Sequence, residues 1–317
     1  MAETQVFEVA PEEKQRIDLF LAAKTGKSRA HVQEVIKKSK VTVNGKVIKA
    51  SYAVKGGDLI ECNFAEESGF GGLEPVKGEL SILHEDETLI VLNKAQGIVV
   101  HPSPTSKKVT LVHHLLYYLK NSPKFLETSA MRPGIVHRLD RGTSGVLLVA
   151  KNRKAHEELS RQFKAREVKK NYEAIVWGVM KESGTYRSTI GRDYKNRKKM
   201  SSKTAKGREA MTRWEKISDN GIFTHVDLFP HTGRTHQLRV HLSENKHPVV
   251  GDDLYGVAGA KRRLQDLSEE WQEHFRDVTQ TFLHAKSIEF THPVTGMRML
   301  LSADRPDNFN YFLEKMT

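Results

Sequence analysis

Strand-forming segments dominate the chain after residue 80, and this pattern restricts the possible folds more than any other feature. The segments are short, rich in β-branched and aromatic residues, and bounded by turn residues. Helical segments interrupt them without regular alternation, which disfavours a doubly wound parallel sheet and predicts an α+β domain on a mixed, largely antiparallel sheet. The predicted strands lie in 80–94, 145–152, 170–178, 223–230, 236–242 and 287–293, and the predicted helices in 111–119, 155–164 and 262–275.

A smaller unit with a different pattern precedes this domain. Residues 14–63 predict two helices, the first ending near Gly26 and the second capped by Ser28. A β-hairpin around Asn44-Gly45 and one more strand follow. The segment 64–79 lacks hydrophobic periodicity and carries Gly, Glu, Ser and Pro, so we interpret it as a linker. The remaining residues, 80–317, are predicted to form one domain.

The distribution of positive charge indicates a polyanionic partner. Lys and Arg number 51 against 39 Asp and Glu, and the basic residues are concentrated in two segments. Residues 14–55 contain 11 basic and two acidic side chains, and residues 187–213 contain ten and two. Such clustering fits a nucleic-acid-binding surface. The alternative is a soluble protein that is basic without a specific partner.

The composition argues against several classes of protein. No stretch approaches the roughly 18–20 apolar residues of a membrane span, and the N-terminus lacks a secretory signal pattern. The single cysteine, Cys62, excludes an internal disulfide framework and a thiolate zinc cluster. We therefore expect a cytoplasmic monomer without a membrane partner.

One carboxylate stands among basic residues just before an apolar strand. Asp140 lies in the segment HRLDRGTSG (137–145), and its Gly-Thr-Ser-Gly end does not match the Gly-x-Ser-x-Gly of a hydrolase elbow. The chain also contains no phosphate-binding loop of the Gly-x-x-x-x-Gly-Lys-Ser/Thr type. His231, His236 and His241 recur every five residues, which could suggest a metal site. A spacing of five, however, puts neighbours in a strand on opposite faces and matches no face of a helix, so a metal site is disfavoured.

The segment 137–145 resembles the HRLDxxTSG signature of the RluA-type pseudouridine synthases. Other motifs of that family follow in order: LNKAQGIVVHPS (92–103), KKNYEAIVWG (169–178), TGRTHQLRVHLSENKHPVVGDDLYG (232–256) and FLHAKSIEFTHPVTG (282–296). The N-terminal unit resembles the S4 RNA-binding domain. The segment IGRDYKNRKKM (190–200) and this unit together resemble the members of the family that act on large-subunit ribosomal RNA.

The resemblance implies an isomerase that converts uridine to pseudouridine in structured RNA, in a domain with a central cleft and without a metal or cofactor. It implies that Asp140 is the nucleophile and Arg234 its ion-pair partner. Tyr172 would offer a flat ring to the uracil and a hydroxyl for proton transfer. Arg138 would fill the space that a flipped uridine vacates. The residues alone leave alternatives open: a structural ion pair of Arg138 with Asp140, a phosphate-binding Arg234, or a core position for Tyr172.

Two further sets of residues are expected to contact the RNA. The substrate-binding set is Lys94, His101, Thr143 and Leu238, and Thr143 would also support the loop of Asp140. The RNA-binding set is Lys27, Arg29, Lys37, Lys38, Lys40, Arg197, Lys198 and Lys199.

The chain departs from the family pattern at two places. Ala95-Gln96 stands where the first motif usually has Pro-Ala, and Gly142 stands where the signature usually has an acid. Neither departure touches the nucleophile, the arginines or the tyrosine. They concern the local loop shape and the choice of target uridine.

Two other functions fit parts of the pattern. A non-enzymatic RNA-binding or ribosome-assembly factor would share the charge and the S4-like unit, but it would not need the set of Asp140, Tyr172 and Arg234. A metal-dependent nuclease would need a cluster of acidic ligands, which only Asp252-Asp253 resembles.

An apolar stripe with helical spacing lies between the third motif and the closing segment. It predicts an amphipathic surface helix over 262–276 that packs on the catalytic domain. Acidic side chains lie mostly away from the stripe, so we interpret the helix as a structural brace and not as an RNA contact. The stripe consists of Leu264, Leu267, Trp271 and Phe275.

Overall fold

The computed structural model describes residues 4–26, 29–64, 73–102, 108–121, 125, 133–204, 206–276, 278 and 280–317. The chain divides into two compact units, Met1–Gly71 and Gly72–Thr317. Lys27 and Ser28, expected as an RNA contact and a helix cap, lie outside the described residues, and so does 65–72 of the predicted linker. Among the described helices, none has the length and apolar character needed to cross a membrane.

The N-terminal unit combines two helices with a small antiparallel sheet around one hydrophobic core. Its elements are β1 (Gln5–Glu8), α1 (Ile17–Thr25), α2 (Arg29–Lys37), β2 (Val41–Val43), β3 (Lys46–Val47) and β4 (Leu59–Cys62), with strand order β1-β4-β2-β3. The unit extends beyond the predicted start at residue 14, because β1 pairs with β4 from Gln5↔Cys62 to Glu8↔Leu59. Phe64, which was assigned to the linker, is buried in this core.

The turns of this unit follow the sequence closely. α1 ends at Gly26, as predicted. Asn44 and Gly45 have φ angles of 49° and 75°, and two successive positive φ angles are the requirement of a type I′ hairpin. The hairpin between β2 and β3 is therefore confirmed.

A buried carboxylate ties the two helices of this unit together. Asp18 on α1 is fully buried, and it accepts hydrogen bonds from Arg16, Gln33 and Arg29. Burial alone would raise the pKa of Asp18, but these bonds hold it well below its usual value. Arg29, expected to contact RNA, thus uses its Nε–H in a 2.9 Å bond to Asp18.

The C-terminal unit is built on one large mixed sheet. Within the described residues the strand order is β10-β9-β11-β12-β8-β13-β7-β6-β5, with β14 paired to β13. Every pairing is antiparallel except the short parallel contact of β13 with β7, so the predicted fold class is confirmed. The strands are β5 (Ile82–Glu85), β6 (Leu89–Lys94), β7 (Ser144–Ala150), β8 (Lys169–Trp177), β9 (Ser183–Arg192), β10 (Met200–Ser201), β11 (Arg208–Asp219), β12 (Phe223–Pro230), β13 (Leu283–Thr291) and β14 (Arg298–Ser302).

One predicted strand is a helix. The segment 236–242 was expected to extend the sheet, but α5 (Gln237–Glu244) occupies it. All side chains from Gln237 to Leu242 are buried, so these six residues have no exposed polar face that would give the sequence a helical period. The other helices of this unit are α3 (Leu111–Tyr118), α4 (Arg153–Ala165), α6 (Ala260–Gln265), α7 (Glu269–Arg276) and α8 (Asp307–Met316).

The predicted helix over 262–276 is two helices, α6 and α7. Ser268 separates them and begins α7, since the N–H of Gln272 donates to its carbonyl and its Oγ lies 3.5 Å from the Trp271 nitrogen. The packing of the stripe is confirmed. Leu267 is buried, and the ring of Trp271 lies 4.9 Å from that of Phe223.

We predict that Trp271→Ala lowers the free energy of unfolding of the C-terminal unit. The loss should stay below the roughly 3–5 kcal/mol of a fully buried aromatic ring, because Trp271 is partly exposed. Urea unfolding followed by tryptophan fluorescence measures it, since Trp177 and Trp214 remain in the same unit. Tyr194→Ala, which removes a ring that is 76% exposed, is the control and should change stability by less than about 0.5 kcal/mol. Equal urea midpoints for parent and Trp271→Ala would contradict the packing argument.

Candidate active site

A cavity of about 510 Å³ opens on one side of the large sheet. The loop before β7, the end of α4, the start of β8, the loop after β12 and the start of α5 border it. It brings together six of the residues predicted for the site: Arg138, Asp140, Thr143, Tyr172, Arg234 and Leu238. Their clustering follows from the topology, because β7, β13 and β8 are neighbours in the sheet.

The loop that carries Asp140 is fixed on both sides. After the carboxylate, the N–H of Thr143 donates to the Asp140 carbonyl at 3.1 Å and closes a tight turn. Before it, His137 Nε2 accepts the N–H of Leu148 at 2.9 Å, and its ring stacks on Phe163. Burial lowers the pKa of His137 to about 3, so the ring is neutral and can accept.

Gly145 allows β7 to approach β13. Its φ is 106°, and a Cβ at this position would lie 2.2 Å from the Ala285 carbonyl oxygen, so any other residue would push the two strands apart. The following residues, Val146 to Ala150, are all buried. Asp140 therefore stands at the start of a strand that is packed on both faces.

Arg239, not Arg234, is the arginine that reaches Asp140. Its Nη1 lies 3.4 Å from Asp140 Oδ2, while its Nε and Nη2 each donate to a carboxylate oxygen of Asp252 at 2.7 Å. Arg234, the expected partner, instead donates from Nε to the Glu209 carbonyl at 2.9 Å. The expected pairing is wrong because 236–242 is helical, and α5 directs Arg239 toward the carboxylate.

His236 and Tyr255 form a second set of contacts next to the Asp140 carboxylate. His236 Nε2 is 3.9 Å from Asp140 Oδ1, and its Nδ1 is 2.8 Å from the Tyr255 hydroxyl. Burial lowers the pKa of His236, although the nearby charge of Asp140 opposes this. Burial also raises the pKa of Tyr255, to about 12, so this hydroxyl stays protonated.

Tyr172 lines the cavity from β8. Its pKa is raised well above the usual value, first by burial and then by the charge of Asp140, so its hydroxyl is protonated at neutral pH. The core alternative is partly right, since the ring also packs against the hydrophobic core of the unit. The side chain thus presents both a ring and an O–H donor to the cavity.

The structure gives structural partners to two residues expected to bind substrate. Lys94 is buried and does not line the cavity; its ammonium donates to the carbonyls of Ala95 at 2.7 Å and Ile98 at 3.1 Å. Burial lowers the pKa of Lys94 to about 8, and the charge of Asp140 opposes this. His101 is buried as well, and its Nε2 lies 3.1 Å from Nη1 of the exposed Arg138.

The two departures from the family pattern meet at one residue. The side-chain amide of Gln96 donates to the Thr281 carbonyl at 2.6 Å. A Cβ on Gly142 would lie 2.7 Å from Thr281 Oγ1. The glycine and the glutamine therefore belong to one packing arrangement beside the loop of Asp140.

The remaining expected RNA contacts lie outside the cavity. Arg197 and Lys198 are exposed and Lys199 half-buried in the loop between β9 and β10, where Asp193 Oδ1 accepts the N–H groups of Lys195 and Asn196. In the N-terminal unit Lys37 and Lys38 are exposed and Lys40 is half-exposed.

Comparison with known proteins identifies the family of the chain. The family model described as RNA pseudouridylate synthase matches residues 88–244, and the S4 domain model matches residues 15–60. An uncharacterized RNA pseudouridine synthase of Chlorobaculum parvum is 40% identical over 307 residues, which are 95% of this chain and 94% of that protein. Ribosomal large subunit pseudouridine synthase D of Pseudomonas aeruginosa is 36% identical over 90% of this chain and 87% of its own length.

Solved structures show the same relationship. Human RNA Pseudouridylate Synthase Domain Containing 4 superposes with a TM-score of 0.58 at 27% sequence identity, over 74% of this chain and 92% of that chain. The relatives thus match nearly the whole length, including the motifs that carry the cavity residues. The chain belongs to the family of RNA pseudouridine synthases, which are isomerases.

Proposed function

We propose that the protein converts uridine to pseudouridine in large-subunit ribosomal RNA, with Asp140 as the nucleophile. The observation that carries the proposal is the placement of this carboxylate in a cavity of about 510 Å³, a volume typical of ligand sites, which Arg239 and Tyr172 also line. A protein that only binds RNA would not need a carboxylate there. Asp252, one of the two acids of a nuclease-like cluster, is held by Nε and Nη2 of Arg239 and is poorly placed to hold a metal.

The proposed reaction needs no external group donor. The N1–C1′ bond of the uridine breaks, the uracil turns, and a C5–C1′ bond forms; the proton lost from C5 is balanced by one gained at N1. Asp140 supplies the nucleophile that such bond cleavage at a sugar requires. Tyr172 holds the detached ring by its face, and its protonated hydroxyl is available for proton transfer.

Arg138 is the proposed wedge that replaces the flipped base. Its guanidinium is exposed at the mouth of the cavity, and its contact to His101 orients it without tying it to Asp140. A planar guanidinium can stack and donate hydrogen bonds in the vacated space.

Ribosomal RNA is the proposed substrate because of the Pseudomonas relative and the arrangement of charge. The loop with Arg197, Lys198 and Lys199 and the exposed lysines of the N-terminal unit supply cations that suit phosphate contacts. We also propose that the protein acts in the cytoplasm, where ribosomal RNA is available, and that it does so as a monomer, because Asp140, Tyr172 and Arg239 of one chain suffice to form the proposed site.

Asp140→Asn should abolish pseudouridine formation while RNA affinity stays within about threefold of the parent. The amide keeps the shape of the side chain but cannot act as a carboxylate nucleophile. Pseudouridine is measured by carbodiimide-adduct mapping of ribosomal RNA. Turnover by this variant within tenfold of the parent would refute the assignment.

Arg239→Met should lower kcat by about 100-fold or more, because it removes the cation that faces Asp140. Arg234→Met is the matched control, and we expect it to retain kcat within about tenfold. Since Arg239→Met leaves Asp252 buried and unpaired, the double variant Arg239→Met/Asp252→Asn tests the same loss with a smaller cost in stability. A larger loss of kcat for Arg234→Met than for Arg239→Met would restore Arg234 as the partner.

Removal of residues 1–71 should weaken RNA binding and flatten its salt dependence, while the C-terminal unit stays folded around its own core. Each lost phosphate contact lowers the log–log salt slope by up to about 0.9. Affinity for ribosomal RNA fragments at several KCl concentrations measures the slope, and circular dichroism checks the fold. An unchanged slope would show that the N-terminal unit binds something other than RNA.

A further inference from the structure

The cavity contains a lysine that the mechanism above does not use. Lys170 lies on β8 two residues before Tyr172, so both side chains project from the same face of the strand, about 7 Å apart. Both residues line the cavity with Asp140. Lys169, the next residue back, points to the opposite face, where its ammonium pairs with Glu289.

Two neighbours locate the ammonium of Lys170. Its charge lies close enough to His137 to contribute to the lowered pKa of that ring. A Cβ on Gly233 would be 3.8 Å from its Nζ, so the loop after β12 passes directly over it. Lys170 therefore sits between the loop of Asp140, the tyrosine and the loop that carries Arg234.

The ammonium has no anionic partner within the described part of the protein. No carboxylate forms an ion pair with Lys170 there, and burial lowers its pKa to about 8. Among the described residues that line the cavity, one is acidic, Asp140, while six are Lys or Arg. A cation buried without a counter-ion is unfavourable, so the site is completed by an anion that arrives with the substrate. The six are Arg138, Lys164, Arg166, Lys170, Arg234 and Arg239.

We propose that Lys170, with Arg234 beside it, forms a subsite for a phosphate that flanks the flipped uridine. The proposal rests on the proposed function, because the uridine brings its two flanking phosphates into the cavity. With the uracil against Tyr172, a spacing of two strand residues places Lys170 beside the sugar–phosphate and not beside the base. Gly233, next to Arg234, brings the loop after β12 within contact distance of the Lys170 ammonium, so both cations border the same part of the cavity. Lys170 positions the nucleotide and takes no part in bond making.

The variants Lys170→Met and Lys169→Met test the subsite. Lys170→Met should lower kcat/KM on a ribosomal RNA fragment by about 10- to 100-fold, mainly through KM, and reduce the salt slope of RNA binding by about 0.7–0.9. Lys169→Met should stay within about threefold, and Lys170→Arg should recover most of the loss. Urea midpoints confirm that the variants fold.

A substrate with one neutral methylphosphonate identifies the phosphate. When the methylphosphonate replaces one of the two phosphates that flank the target uridine, the parent should lose activity. The Lys170→Met variant should then lose no more than twofold relative to its own activity on the unmodified RNA. When the methylphosphonate stands at a remote position, its effect and the effect of Lys170→Met should multiply. Independent losses at both flanking positions, or a Lys170→Met variant with the kcat/KM of the parent, would overturn the subsite. A parent enzyme that forms no pseudouridine in ribosomal RNA would instead overturn the proposed function, and the subsite with it.

Discussion

The guanidinium of Arg239 bridges two carboxylates, and the arrangement of the cavity depends on this bridge. Its double hydrogen bond to Asp252 fixes the plane of the group and leaves Nη1 directed at Asp140. Asp252 is itself held by the N–H groups of Leu254 and Tyr255. Burial alone would raise the pKa of Asp252, but Arg239 keeps it lowered. A buried pair of this kind is costly to break from either side, so α5 and the segment after it position the cation that faces Asp140 together.

The carboxylate is held from the opposite direction by the sheet. All residues of β7 are buried, and the strand lies between β13 and β6. A neutral His137 joins the preceding loop to this strand through Leu148. Site residues on packed elements keep their geometry better than residues on free loops. Asp140 is thus fixed by hydrophobic packing on one side and by a charged network on the other.

The sequence predicts those parts of the molecule whose signals are local. The Asn44-Gly45 hairpin, the end of α1 and the strands β5 to β8, β12 and β13 follow from turn residues and periodicity, whereas β9, β10, β11 and β14 were not predicted. The helix α5 could not be predicted this way, because its first six residues are all buried and its alternating apolar residues imitate a strand. The error in the partner of Asp140 has the same origin, since only the helix brings Arg239 to the carboxylate. The sequence did contain a sign of this partner. Asp252 is an acid in the same motif as Arg239, and a buried acid at that position calls for a basic side chain beside it.

The departures from the family pattern show why residues around this site cannot be interpreted one at a time. Gly142 leaves no room for a side chain, because Thr281 stands where a Cβ would lie. Gln96 holds the backbone of the same threonine through its amide. A side chain at position 142 would therefore require the Thr281 side chain to shift, next to the backbone carbonyl that Gln96 holds. The two loops are joined a second time, since the N–H of Gly97 donates to the Arg141 carbonyl. A change at any of these positions thus acts on the other contacts of the loop next to Asp140.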